Sequence, residues 1–324
     1  MTWAGWYRRT VERRRAPAVV LMYHRFTDAS PDPWSLGVSA AHFAEHVALL
    51  QRAYRPASLA QLAGEVARRR IPRRTVVVTA DDGYRDNLHV AAPVLGAQGV
   101  PATFFISTGA IDSPGSFWWD ELAALILGDH ALPADLPLPT GVRWTGASEA
   151  SEASWTADRP PSTNRDALYL ATWQALFRAG PEAQSAAVAA LRASIAGSGS
   201  RFPTLTGHEV ATLARMPFVE IGAHGRTHRP LDHLDGATVA QEVHGSCADL
   251  AHLTGRPVHS FAFPHGAHDA GAFAAVRAAG IRVACTTVEG GVHEATTLHA
   301  LPRIHVRNWS ADRLDDVLRW WLGR

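Results

Sequence analysis

Two adjacent carboxylates, Asp81 and Asp82, followed by Gly83, stand at the end of the apolar run Thr75-Val76-Val77-Val78-Thr79-Ala80. Continuous β-branched residues suit a strand covered on both faces. Like charges side by side at such a strand end require a cation or a raised pKa. A cation site offers itself at His224-Gly225-Arg226-Thr227-His228, just after the strand-like run Phe218-Val219-Glu220-Ile221. One aspartate oxygen and two imidazole nitrogens make a three-ligand site with open positions, the arrangement that holds a catalytic zinc. Such a cation brings the pKa of a bound water down to ~7 and polarises a carbonyl oxygen. The second carboxylate would then take the proton from that water. Neighbouring strand residues point opposite ways, but Gly83 lets the chain turn so that both can face one site. Either aspartate could be the ligand and the other the base; spacing alone does not choose. In a zincin helix, glutamate follows the first histidine of His-x-x-x-His. Here Gly225 follows it and Pro230 comes soon after, which predicts a loop or short turn.

The scaffold that would bring these residues together is written in the alternation of short apolar runs with longer helical patterns, the signature of βα units and a parallel sheet. Seven strands are predicted, over 18–23, 76–80, 102–107, 218–222, 258–263, 281–286 and 302–306. Helices are predicted over 40–52, 86–98, 238–253, 269–279 and 310–322, and Gly99 and Gly280 stand where a left-handed glycine ends a helix. The C-terminal ends of the strands carry His24, Asp81/Asp82, Ser107/Thr108, His224, His265, Thr286/Thr287 and His305. In a parallel α/β barrel the loops at that end converge on one mouth, so this distribution points to one active site there. The expected fold class is therefore α/β, a barrel with a large insertion between its third and fourth strands. That insertion, 112–205, is read as a partly helical cap within a single domain spanning 1–324. It holds Phe117-Trp118-Trp119-Asp120-Glu121, a loop over 146–161 and an amphipathic helical segment over 165–195. The two tryptophans are expected to pack within the cap, and Asp120 and Glu121 to begin a helix near its positive dipole end.

The totals exclude several classes. A net charge of +1 gives no electrostatic case for a nucleic-acid partner, and the short arginine clusters (Arg8-Arg9, Arg13 to Arg15, Arg68 to Arg70) read as solvated helix faces. The chain has no lysine, which removes Schiff-base chemistry and the P-loop lysine. Two cysteines are too few for a disulfide framework or a thiolate zinc site, and Cys285 reads as a buried, inert thiol. No apolar run approaches the ~20 residues of a membrane span, and no secretory signal is evident, so a cytoplasmic location is expected.

Taken together, the motifs resemble those of the NodB-homology polysaccharide deacetylases (carbohydrate esterase family 4). Thr79-Ala80-Asp81-Asp82-Gly83-Tyr84 is similar to the first motif of that family, and His224-Gly225-Arg226-Thr227-His228 to the second. Phe261-Ala262-Phe263-Pro264-His265-Gly266 resembles the third, and Leu301-Pro302-Arg303-Ile304-His305-Val306 sits where the last is expected. Met22-Tyr23-His24-Arg25 and the Phe-Trp-Trp-Asp segment look like one branch of the family.

The resemblance implies a distorted (β/α)7 barrel and hydrolysis of the N-acyl amide, N-acetyl above all, of an amino sugar in a polysaccharide or glycan precursor. It implies Asp82, His224 and His228 as ligands of a divalent metal, zinc in the first place with other divalent transition metals able to serve. It makes Asp81 the general base, the backbone N–H beside His265 an oxyanion donor and His305 the general acid, with His24 and His299 as competitors. Ala262 stands where many members have an arginine that holds the catalytic aspartate, and Arg303 is the candidate to supply that charge to Asp81. The alternatives are a non-sugar linear or cyclic amide as substrate, or an inactive carbohydrate-binding relative. Two histidines and a carboxylate also describe a non-haem iron oxygenase, but the βα alternation speaks against that fold.

Overall fold

The computed structural model describes residues 15–146, 155–196, 199 and 202–323. Arg8, Arg9, Arg13 and Arg14, and residues 147–154 of the expected loop, lie outside the described residues. The chain forms two compact units, one made of residues up to 28, 37–112 and from 205 on, the other of residues 29–36 and 113–204.

The first unit contains eight strands among the described residues: β1 (Ala18–Tyr23), β2 (Arg55–Pro56), β3 (Thr75–Ala80), β4 (Ala102–Ile106), β5 (Val219–Ala223), β6 (Ser260–Ala262), β7 (Val283–Cys285) and β8 (Ile304–His305). The described helices are α1 (Ala40–Ala53), α2 (Leu59–Ala67), α3 (Ala92–Gln98), α4 (Trp118–Leu127), α5 (Asn164–Phe177), α6 (Pro181–Ser194), α7 (Gly207–Leu213), α8 (Gly236–Thr254), α9 (Ala270–Ala278) and α10 (Ala311–Leu322). Of these, α4 to α6 belong to the second unit.

All strand pairs are parallel, in the order β7-β6-β5-β4-β3-β1-β8, with β2 beside the start of β3. The ring closes through one segment. Leu301 bridges Cys285 of β7 and its carbonyl accepts the Thr286 N–H at 2.9 Å, while Ile304, three residues on, pairs with Leu21 of β1. This is the expected distorted (β/α)7 barrel.

Alternation along each strand separates two cores. Val76, Val78 and Ala80 of β3 face the helices with Val19, Leu21, Phe104 and Phe261. Val77 faces inward with Val20, Phe105, Ala262 and Cys285, and α2 adds Leu59 and Leu62 to that interior. Both faces of β3 are dry, which is why its sequence is apolar throughout. Each valine so covered contributes ~1.5–3 kcal/mol.

Where observed elements differ from expectation, local chemistry explains it. The predicted 86–98 helix opens as a π turn, Asn87–Ala91, before α3. Pro93 has no N–H to donate and its ring crowds the carbonyl four residues back, so the first turn widens. The predicted 165–195 segment is two helices, broken at Gly180-Pro181. The short helices α2 and α7 escape periodicity, yet each begins with a capping box, at Ser58 and Thr206. Strands β6 and β7 are shorter than expected, because buried Val258, Phe263 and Ile281 belong to flanking turns.

The second unit has its own aromatic core. Trp119 stacks on Phe117 at 4.3 Å between centroids, and Trp173 lies 4.7 Å from Phe177 and 4.6 Å from Trp34. Asp120 and Glu121 occupy the first turn of α4, as expected. Both cysteines are free thiols, and burial pushes that of Cys285 up to about 12. Among the described residues no helix is long and apolar enough to cross a membrane.

Candidate active site

The barrel's alternation places Asp81 in line with the inward residues Val77 and Thr79. Strand geometry would send Asp82 to the other face. It does not, because the strand has ended: Asp82 takes a left-handed φ of 76° and Gly83 one of 87°. A Cβ on Gly83 would lie 2.9 Å from the Ile106 side chain, so only glycine fits this turn. Both carboxylates are thereby buried at the C-terminal end of the barrel.

Asp82 Oδ1 lies 3.1 Å from His228 Nε2 and 3.4 Å from His224 Nε2, and the two nitrogens are 3.2 Å apart. Among the described residues these three form the group of His, Cys, Asp and Glu side chains whose donor atoms come within metal-holding distance. His224 Nδ1 is 2.7 Å from the Ala262 carbonyl. A carbonyl only accepts, so Nδ1 carries a proton, and Nε2 is the ring atom aimed at Asp82 and His228, the one available to ligate a cation. Two nitrogens and one carboxylate oxygen so arranged fit a divalent cation such as zinc.

The loop that carries the two histidines follows β5 and is held from two sides. From the β4 side, the Ser107 hydroxyl donates to His224 O (3.0 Å), Thr108 N–H to Gly225 O (3.1 Å) and Gly109 N–H to Arg226 O (2.8 Å). From α8, Glu242 accepts the N–H groups of Arg226 (2.7 Å) and Thr227 (2.9 Å) and the Thr227 hydroxyl (2.6 Å). Asp249 accepts the Arg226 guanidinium through two bonds, at 2.8 and 2.7 Å, and the Thr108 hydroxyl at 2.8 Å. Gly225 has a φ of 74°, and a Cβ there would meet Glu242 at 3.0 Å. Sequence reading missed Glu242 and Asp249. The available signal was a buried acid in line with Val239, Val243, Ser246 and Leu250 on the apolar face of α8.

Asp81 has a different environment. Its two oxygens accept Arg303 Nη1 and Nη2 at 2.7 and 2.6 Å, and Arg303 also donates to the Thr79 hydroxyl (3.1 Å) and, through Nε, to Thr286 O (2.9 Å). The guanidinium is fully buried, 5.7 Å over the Phe105 ring. Ala262 faces the same interior. Burial pushes the Asp81 carboxyl up, but the Arg303 charge outweighs it and holds the group below the ordinary carboxylate range. For Asp82, bonds to His224 and His228 likewise overcome burial and hold the carboxyl well down.

His265 sits on the turn after β6 with a φ of 55°, its ring edge-to-face with that of His228 at 4.4 Å. Burial, then the neighbouring His228, keeps its imidazole neutral well below the usual range. His305, on β8, lies edge-to-face with His24 at 5.5 Å. His24 is pulled down mainly by burial while Asp82 and Asp81 push it back up, which puts it beside the carboxylates. His299 is not with them: its Nε2 is 2.9 Å from the Ile281 carbonyl, ahead of β7 at the opposite end of the strands. It is therefore no competitor for the general acid. The aspartate pair caps no helix either; the π turn is preceded by Asp86, whose carboxylate accepts the Phe26 N–H.

Comparison with known proteins bears on this geometry. A family model described as polysaccharide deacetylase matches residues 68–133 and 182–284, more than half of the chain, including Asp81, Asp82, His224, His228 and His265. Among solved structures, the chain is similar to the Streptococcus pyogenes deacetylase PplD in complex with acetate (TM-score 0.59, 16% identity, covering 93% of this chain and 97% of that one). It is also similar to IcaB from Ammonifex degensii (TM-score 0.60, 17% identity, 95% and 98%) and to BC0361, a polysaccharide deacetylase from Bacillus cereus (0.58, 16%, 93% and 68%). At these identities the likeness is one of fold. A search of the curated proteins finds no match.

Proposed function

This chain belongs to the polysaccharide deacetylase family, hydrolases of amide C–N bonds acting on carbohydrate, and on that premise we propose that it removes the N-acetyl group of an amino sugar in a polysaccharide or glycan precursor. In this reading Asp82, His224 and His228 hold a divalent cation, zinc in the first place. When bound, the cation supplies Lewis acidity toward the amide carbonyl and lowers the pKa of water.

The chain's own groups do the rest. Asp81, kept ionised by Arg303, accepts a proton from the attacking water, whose oxygen bonds to the acyl carbon. The main-chain N–H at His265 donates to the developing oxyanion, a fixed dipole where charge appears. His305 protonates the sugar nitrogen as the C–N bond breaks, releasing acetate and the free amine. His24, against its ring, orients it.

The observation that carries this reading is the pairing of a three-donor cluster with a separately clamped carboxylate, Asp81 Oδ2 lying 4.0 Å from His224 Nε2. A binding module has no use for an ionised, arginine-held base beside such a cluster. The test measures acetate released from N-acetylglucosamine oligomers alongside metal analysis of the purified protein. Acetate release that vanishes in Asp81→Asn with metal retained is the expected result. Bound metal without hydrolysis of any N-acylated sugar would sink the sugar reading and point to a non-sugar amide. Neither metal nor hydrolysis would sink the catalytic reading itself.

A further inference from the structure

The parallel strands have a second end, remote from Asp81 and Asp82, where helices hand the chain back to strands. The loops there are 68–74, 99–101, 214–218, 255–259 and 279–282. None contains an aspartate or glutamate, and four carry exposed arginines. Arg68, Arg69, Arg70 and Arg73 precede β3, Arg215 precedes β5, Arg256 precedes β6 and Arg282 precedes β7. The whole chain has a net charge of only +1, so the excess is local. Acids near this end are few and mostly engaged. Glu65 pairs with Arg55 at 2.6 Å, and Glu220 accepts the Thr103 hydroxyl at 3.1 Å. Asp315 of α10 is likewise engaged, by the Tyr54 hydroxyl at 2.5 Å and Arg319 at 2.7 Å, while Glu294, near the start of β1, and Asp316, one turn before Trp320, are exposed counterweights.

The exposed large apolar side chains among the described residues are Phe218 (51%) and Trp320 (57%). Both lie at this same end. Phe218 is the last residue before β5. Trp320 is in the last turn of α10, where the Trp321 carbonyl accepts the Ala16 N–H at 2.9 Å, two residues before β1. A single exposed aromatic needs no explanation; two of them on the face that collects the arginines do. Phe218 is also held at a φ of 65°, a conformation that bulky residues seldom adopt. The sequence leading to this face has the same character, with Trp3, Trp6, Tyr7 and four arginines against one acid, Glu12, before Arg15. A cavity of about 500 Å³ opens here between α2 and the starts of β5 to β7, with Arg256, His259 and Arg282 and one acid, Glu220, on its wall.

We propose that this end of the barrel is a docking surface for an anionic membrane, the arginines among the lipid headgroups and Phe218 and Trp320 at the interface beneath them. Arginine clusters meet anionic headgroups through charge, and exposed tryptophan and phenylalanine seat at the headgroup level. A soluble polyanion would explain the arginines but would leave the two aromatics without a role. With this end down, the C-terminal ends of the strands face away from the bilayer, so substrate reaches Asp81 and Asp82 from the water side.

The test is co-sedimentation of the full chain with phosphatidylcholine vesicles, with and without phosphatidylglycerol. The expected result is binding to the anionic vesicles only, weakened as salt rises from about 0.1 M to about 1 M and the Debye length falls from ~10 to ~3 Å. Each arginine near an anionic surface is worth ~5-fold in partition, so Arg68→Gln, Arg69→Gln and Arg70→Gln combined should lose about a hundredfold. Phe218→Ser with Trp320→Ser should weaken vesicle binding further while leaving binding to heparin unchanged, and should retain the parent's acetate release from soluble oligomers. Three results would overturn the proposal: no binding to anionic vesicles, equal binding to neutral ones, or vesicle binding indifferent to the two aromatics. The third, with tight heparin binding, would make this a polyanion surface instead.

Discussion

Asp81 and Asp82 are chain neighbours with opposite surroundings, and that difference divides their work. Asp82 faces two imidazoles; Asp81 faces a guanidinium that satisfies both of its oxygens. Removing one partner of a buried ion pair leaves an uncompensated charge at a cost of ~3–5 kcal/mol, so Asp81 would instead protonate. Arg303→Ala should therefore lower kcat/KM by about a hundredfold with metal content retained. Because Arg303 holds the Asp81 pKa down, its loss should move the acid limb of the rate profile to higher pH. Arg303→Lys should rescue poorly, since an ammonium cannot make the paired bonds of a planar fork. Parental turnover in Arg303→Ala would refute the assignment. The candidacy of Arg303 was legible in the sequence as a cation one strand end away from Asp81. The two-bond geometry was not, because it depends on β8 lying beside β1, more than two hundred residues earlier in the chain.

At the scale of elements, the loop 224–228 is a clamp assembled by α8. Glu242, itself buried, takes two backbone N–H groups of the loop, and a buried carboxylate is costly to leave without its partners. Groups that orient metal ligands are typically worth ~10–100-fold in metal affinity. Glu242→Ala should weaken zinc binding, measured by calorimetry on the purified protein, by that margin and lower the melting temperature; Glu242→Gln, which keeps one acceptor oxygen, should fall between. Unchanged affinity in Glu242→Ala would mean that the β4 side alone fixes the loop. Sequence periodicity placed α8 correctly and could mark Glu242 as an acid on an apolar face. It could not name the partners, since backbone N–H groups carry no sequence signature.

The whole molecule carries its own titration. His46 is buried between the Tyr23 hydroxyl (3.2 Å) and the Trp309 carbonyl (2.8 Å), and burial lowers its pKa from 6.5 to about 4. The unfolded chain binds that proton first, so the stability conferred by neutral His46 is complete above pH 6.5 and is lost as pH falls toward about 4. Across that window the loss should approach ~3 kcal/mol, at ~1.4 kcal/mol per unit. Glu209 extends the decline. Burial raises its carboxyl, but the Thr206 N–H, His89 and Arg85 outweigh it and hold the group at about 2, so its contribution is lost between 4.5 and about 2. Denaturant titrations across this range should show a continuous fall, and His46→Leu should flatten the upper part. A flat parental profile from pH 6.5 to 4 would contradict the burial argument.

The elements, and the chemical kinds of residue at their ends, were legible in the order of the residues. Seven strands, the βα alternation and the gathering of acids and histidines after strands follow from periodicity and polarity, which are local properties. The sequence also held the His-x-x-x-His segment to a loop, because glycine and proline flank it. Which residues meet followed from the folding of distant segments together. It turned Asp82 back to the barrel mouth through a left-handed φ, paired Arg303 with Asp81 inside the barrel, and sent His299 to the far end. The physical reason is that strand alternation and helix faces are set within a few residues. Ion pairs, ligand triads and clamps are set by which strands become neighbours when the sheet closes.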